Sequence, residues 1–137
     1  MDSRKINEHY AEIGAELIET EEALVDIANS SATIIYLSSE HKKTASGKIT
    51  YAECEKVSEK YKWGIPCDFT ITVFEPNCEG MTEEQLRILI FHELLHIKID
   101  FKDDGTESYG INPHDLEDFK LIIDRFGTEW SKVDGDD

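Results

Sequence analysis

Apolar residues recur at helical spacing between residues 5 and 28: Ile6, Tyr10, Ile13, Leu17, Leu24 and Ile27 line one face and glutamates the other. This predicts an amphipathic helix, with a break near Thr20 left open and Asn29-Ser30-Ser31 as its stop. Ala32 to Leu37 is short, β-branched and apolar and predicts a strand. His41 to Gly47 is a polar connection. Lys48 to Ser58 admits two patterns. Thr50 with Glu53 could open a helix as a capping box, whereas Ile49, Tyr51, Cys54 and Val57 suit an irregular strand, which is preferred here. In Asp68 to Phe74, Phe69, Ile71 and Val73 alternate on one face, so this strand needs sheet partners; Pro76 and Gly80 close it.

Thr82-Glu83-Glu84-Gln85 has the form of a capping box. The helix it opens is apolar on most sides from Leu86 to Ile99, which predicts the buried central helix. Asp100 to Gly110 reads as an acidic loop. Asn112-Pro113 supplies an N-cap followed by proline at the first helical position. Leu116, Phe119, Ile123 and Phe126 then form the stripe of a last helix that stops at Gly127. A single domain over residues 1–130 is expected, with a frayed acidic tail at 131–137.

The formal charge of −16 is concentrated toward the two ends of the chain. Only residues 40–62 lean basic, through Lys42, Lys43, Lys48, Lys56, Lys60 and Lys62, and a solvated sheet edge is the expected setting for them. Such a surface repels phosphate backbones and disfavours nucleic acid as a partner. No apolar run reaches the ~18 residues of a membrane span. Met1 to Lys5 leads into an acidic amphipathic segment, so no signal peptide is expected. Cys54, Cys67 and Cys78 form no C-x-x-C pair, which predicts idle or buried thiols rather than a disulfide framework or zinc ribbon. Together these features point to a cytoplasmic protein.

Within the central helix stands His92-Glu93-Leu94-Leu95-His96, the pattern H-E-x-x-H. Residues four apart on a helix share a face, so both imidazoles can hold one Zn²⁺ while the glutamate reaches a water on the metal. A catalytic zinc takes three protein ligands and leaves one position open. His114, at the start of the last helix, is the favoured third ligand. Asp100, Asp103, Asp104 and Glu107 are alternatives from the acidic loop. Three neutral imidazoles leave the full metal charge to acidify water, with Glu93 accepting the proton and passing it to the leaving amine. Asp115 or Asp118 could orient a ligand imidazole, and Tyr109 could donate to an oxyanion. His9 and His41 are expected on the surface, and Trp63 and Trp130 in packing.

Longer strings extend the pattern. Glu55 to Trp63, Asp68-Phe69-Thr70-Ile71 with Glu75-Pro76-Asn77, and Glu84 to His96 occur in that order. They are followed by Pro113-His114-Asp115-Leu116-Glu117-Asp118-Phe119, Asp124 to Gly127, and Trp130. In these the chain resembles the putative phage metallopeptidase family, which is similar to SprT-like zincins. The resemblance implies a zincin-like α+β domain. In it a small antiparallel three-stranded sheet packs on the H-E-x-x-H helix, flanked by N- and C-terminal helices. It implies zinc on His92, His96 and His114, Glu93 as the catalytic base, and a strand at Lys48 to Ser58. The chain departs from SprT-like proteases in lacking their Cys-rich zinc ribbon and in being acidic.

The function expected is zinc-dependent hydrolysis of an intracellular peptide or protein, in a bacterial or phage-infected cell. The alternatives are a non-enzymatic zinc-binding scaffold for phage–host protein interaction, and hydrolysis of a non-peptide amide.

Overall fold

The computed structural model describes residues 4–45 and 47–112. The expected last helix from Pro113 to Phe126, its stop at Gly127, Trp130 and the acidic tail all lie outside the described residues.

The first helix is shorter than the apolar spacing predicts. Arg4–Ile6 forms a strand, β1, and α1 runs from Glu8 to Thr20. The boundary is set by Asn7, whose side-chain oxygen accepts from the Tyr10 amide as an N-cap. Ile6, counted into the helical stripe, is instead 69% exposed. The chain breaks at Glu21, where the backbone is extended, then continues through a 3₁₀ turn into α2, Val25–Ala28. The break anticipated near Thr20 is therefore present.

β2 (Ile34–Ser39) and β6 (Phe69–Phe74) form the centre of a four-stranded sheet, flanked by β1 beside β2 and β5 (Ala52–Lys56) beside β6. A small hairpin, β3 (Thr44–Ala45) with β4 (Lys48–Ile49), precedes β5. Lys48 to Ser58 is thus strand, not helix. The expected three-stranded antiparallel sheet is corrected in two respects. β1 adds a fourth strand, and β2 pairs with β6 in parallel, Ile34 opposite Phe69 through Ser39 opposite Phe74. The parallel pair gives β2 a second partner, so both its edges are hydrogen-bonded. The short strand β1 carries too little apolar pattern to announce itself.

Alternation on β6 separates two faces. Phe69, Ile71 and Val73 join Tyr36 and residues of α1 and of α3 (Glu83–Leu94) in the main core. Thr72 and Phe74 are fully buried on the opposite face. The Arg4 guanidinium donates to Thr72 Oγ1 and lies 5.7 Å from the centre of the Phe74 ring. Lys43 reaches over the same ring and pairs with Glu53. The basic stretch therefore serves partly to cover the sheet.

α1 approaches this sheet closely at Gly14. A β-carbon there would lie 2.1 Å from the Tyr36 hydroxyl oxygen and 2.3 Å from its Cζ. Alanine in place of glycine ordinarily strengthens a helix. Here Gly14→Ala should instead lower stability by about 1–3 kcal/mol through overpacking, seen as a lower urea midpoint. An unchanged or raised midpoint would show that the ring moves aside without cost.

Trp63 does not pack as expected. It is 90% exposed, in the connection that follows a 3₁₀ turn at Glu59–Tyr61. That connection is held instead by Lys62, whose ammonium donates to Asp68 and Glu59. His9 and His41 are exposed, as expected, and His9 pairs with Glu83 between the starts of α1 and α3.

Candidate metal centre

α3 begins with the capping box read from its sequence. Thr82 Oγ1 accepts from the Gln85 amide, and the Gln85 side chain accepts from the Thr82 amide. The helix then buries Ile88, Leu89, Ile90, Phe91, Glu93 and Leu94, which fits an all-round apolar segment in the centre of the core. It ends earlier than periodicity suggests, at Leu94 rather than Ile99. His92 and Glu93 stand on its last turn and His96 in the turn that follows, where its amide donates to the Glu93 carbonyl.

Beyond His96 the pattern changes period. Ile97 and Ile99 are buried and Lys98 and Asp100 exposed, giving strand β7 (Ile97–Phe101). It pairs antiparallel with β8 (Glu107–Ile111). The supposed acidic loop at 100–110 is therefore mostly a β-hairpin. Its turn uses Gly105 at φ +86°, and Asp104 accepts from the Thr106 amide and hydroxyl. The string Ile97-Lys98-Ile99-Asp100-Phe101 followed by Asp104-Gly105 carried this signal, alternation and then a turn dipeptide.

The hairpin brings the chain back to the helix end. The Asn112 amide donates to the His96 carbonyl at 2.6 Å, and the Asn112 carbonyl lies 2.7 Å from His96 Nδ1. A carbonyl can only accept, so His96 Nδ1 carries a proton, and in the neutral ring Nε2 is the nitrogen able to bind a metal. This fixes the imidazole as the tautomer that binds a metal through Nε2. The sequence offered Asp115 or Asp118 for such an orienting role. The backbone carbonyl of Asn112 fills it for His96, a partner that has no side-chain signature.

His92, Glu93 and His96 each offer a ligand atom, and these atoms lie within 4.8 Å of one another. The two imidazole centres are 5.1 Å apart with rings nearly perpendicular. Two nitrogens and a carboxylate at this separation could hold a metal ion. The loop carboxylates considered as alternatives do not join this cluster. Glu107 accepts from the Ser31 amide and the Tyr109 hydroxyl, and Asp104 is engaged in the hairpin turn.

Glu93 is only 5% exposed, and burial, aided by the negative charge of Glu53, pushes its carboxyl up to about 8. A cation beside it would draw that value back down. The contribution of Glu53, on neighbouring β5, depends on the sheet register and has no local sequence signal. Tyr109 stands on β8 with its ring 5.8 Å from Phe69. Its hydroxyl donates to Glu107, and that hydrogen bond, with burial, holds its phenol up at about 12. His114, Asp115 and Asp118 lie outside the described residues.

Half-buried Cys54 and buried Cys67 and Cys78 all have thiols pushed up by burial, which disfavours the reactive thiolate. No helix among the described residues is long and apolar enough to cross a membrane.

Neither a search of curated proteins nor one of solved structures finds a match. The sequence model of the putative phage metallopeptidase family matches residues 4–135, which includes the H-E-x-x-H cluster and the segment carrying His114. The chain therefore belongs to the putative phage metallopeptidase family.

Proposed function

We propose that the protein is a zinc-dependent metallopeptidase with a zincin-like, SprT-like architecture, acting on a peptide or protein in the cytoplasm of a bacterial or phage-infected cell. His92, His96 and His114 are the ligands and Glu93 is the general base. The observation that carries this reading is the convergence of His92, Glu93 and His96 with the returning chain at Asn112.

The return of the chain supports His114 as the third ligand. Asn112 is hydrogen-bonded to His96 through both its amide and its carbonyl. Two further residues reach at most about 7 Å. Chain length therefore permits a histidine two positions on to approach His96, whereas His9 is held at Glu83 on the first turn of α3.

A bound zinc would supply a Lewis acid that acidifies water and polarises the scissile carbonyl. Glu93, buried beside the ligands, takes the proton from the attacking water and delivers it to the departing amine. Its low exposure keeps that proton from exchanging freely with bulk solvent. The Asn112 carbonyl keeps His96 in one tautomer throughout. Asp115 and Asp118 are proposed to orient His114, and Tyr109 to serve as an oxyanion donor when substrate displaces its bond to Glu107.

Removal of metal tests the reading. Protein dialysed against a chelator should lose cleavage of a peptide pool, and one equivalent of Zn²⁺ should restore it. Equal cleavage before and after chelation, with metal removal verified by elemental analysis, would reject a metallopeptidase.

A further inference from the structure

A cavity of about 240 Å³ opens beside the metal centre, lined by Ile49, Tyr51, Ala52 and Leu89 and sharing His92 and Glu93 as a wall. We propose that it is a specificity pocket that receives one apolar side chain, from a residue flanking the scissile bond. The assignment rests on the peptidase reading above.

Size comes first. Clefts that enclose whole small-molecule ligands run to ~300–1,000 Å³, so this one suits a single side chain. Position comes second. A side chain whose pocket is walled by the general base and a metal ligand belongs to a residue next to the bond being cut. Chemistry comes third. Leu89 is a buried core residue, and Tyr51 and Ala52 pack against the same core. Ile49 is 56% exposed, a large aliphatic group left open to water on the lining of this cavity. Glu93 is the only carboxylate among the described residues of the lining.

The wall carrying Ile49 is held in place before substrate arrives. Asn77 Nδ2 donates to the Thr50 carbonyl at 2.8 Å and to the Lys43 carbonyl at 2.9 Å. The Tyr51 carbonyl accepts from the Phe74 amide and the Cys78 thiol. These bonds tie both flanks of the β3–β4 hairpin to the residues that close β6. A pocket fixed in this way discriminates without first having to be ordered.

The test separates binding from turnover. Zinc-loaded Glu93→Gln protein is immobilised and exposed to a randomised peptide pool, and the retained peptides are sequenced. One position should be enriched in Leu, Ile, Val, Met or Phe over Asp, Glu and Gly by at least about tenfold, the scale on which an apolar pocket discriminates. Adding Ile49→Lys, which places a cation on the exposed side of the pocket, should abolish that preference and favour Asp or Glu. Retention with no apolar position, or an apolar preference that survives Ile49→Lys, overturns the assignment. Wild-type protein is then given the retained peptides. Failure to cleave them, with apolar enrichment intact, rejects the peptidase reading and leaves the pocket standing. Cleavage with no apolar preference rejects the pocket alone.

Discussion

Glu93→Gln should reduce kcat by about 10²–10⁴-fold while leaving metal content unchanged, the range carried by a positioned general base. Glutamine keeps the shape of the side chain and its ability to hydrogen-bond but cannot take up a proton. The same substitution has a second, opposite effect on the metal-stripped protein. Glu93 in the fold titrates at about 8, above its ordinary value of 4.5, because it is buried beside the charge of Glu53. Between these values the folded protein holds a proton that the unfolded chain has released, so stability falls as pH rises through this window. A neutral glutamine removes that loss. Urea midpoints of the chelated proteins should therefore converge near pH 4 and separate in favour of Glu93→Gln near pH 8. A variant that is more stable yet inactive marks a residue kept for chemistry rather than for packing. Undiminished turnover in Glu93→Gln would remove Glu93 from the mechanism.

His96→Ala should abolish stoichiometric zinc binding, a loss larger than the ~10–100-fold that orienting partners carry. His92→Ala should do the same. His96 is the stronger case, because the Asn112 carbonyl engages its Nδ1 and so fixes the orientation of the ring. Removing its ring also deprives that carbonyl of its donor, so His96→Ala should loosen the return of β8 to the helix end, which His92→Ala should not. Calorimetric titration with Zn²⁺, paired with amide exchange at Asn112, reads both effects. Retention of full zinc affinity by either variant would contradict the proposed ligand set.

Several parts of this arrangement were legible in the sequence because their causes are local. Thr82 and Gln85 announced the start of α3, and the apolar run after them announced its burial. The alternation of Phe69, Ile71 and Val73 placed β6 on the core, and the spacing of His92 and His96 placed both imidazoles together. What escaped depends on partners distant in the chain or on competing periods. Ile97 and Ile99 satisfy a helical stripe as well as a strand, so periodicity alone carries α3 on to Ile99 and hides the β7–β8 hairpin. β1 is three exposed residues with one apolar side chain, and its order comes from pairing with the edge of β2. The parallel pairing of β2 with β6 follows from chain topology, which no local pattern encodes. Asn112 has the side chain of a helix cap, and the helix it would open lies outside the described residues. Its contribution to the site is a backbone carbonyl, equally available from any residue the hairpin might have delivered there.

The site and the fold are linked through that hairpin. Its short turn at Gly105 reverses the chain, its two strands carry it back, and Asn112 docks on His96. A longer or differently registered hairpin would deliver a different residue to the helix end. The candidate metal centre thus depends on strand register as well as on the H-E-x-x-H motif.

X-ray absorption at the zinc edge, on protein loaded with one equivalent of metal, tests this account most directly. The prediction is three imidazole nitrogens at ~2.0–2.1 Å and one further oxygen, falling to two imidazoles in His114→Ala. A spectrum with sulfur at ~2.3 Å, a fourth protein ligand closing the site, or three imidazoles retained in His114→Ala would contradict it.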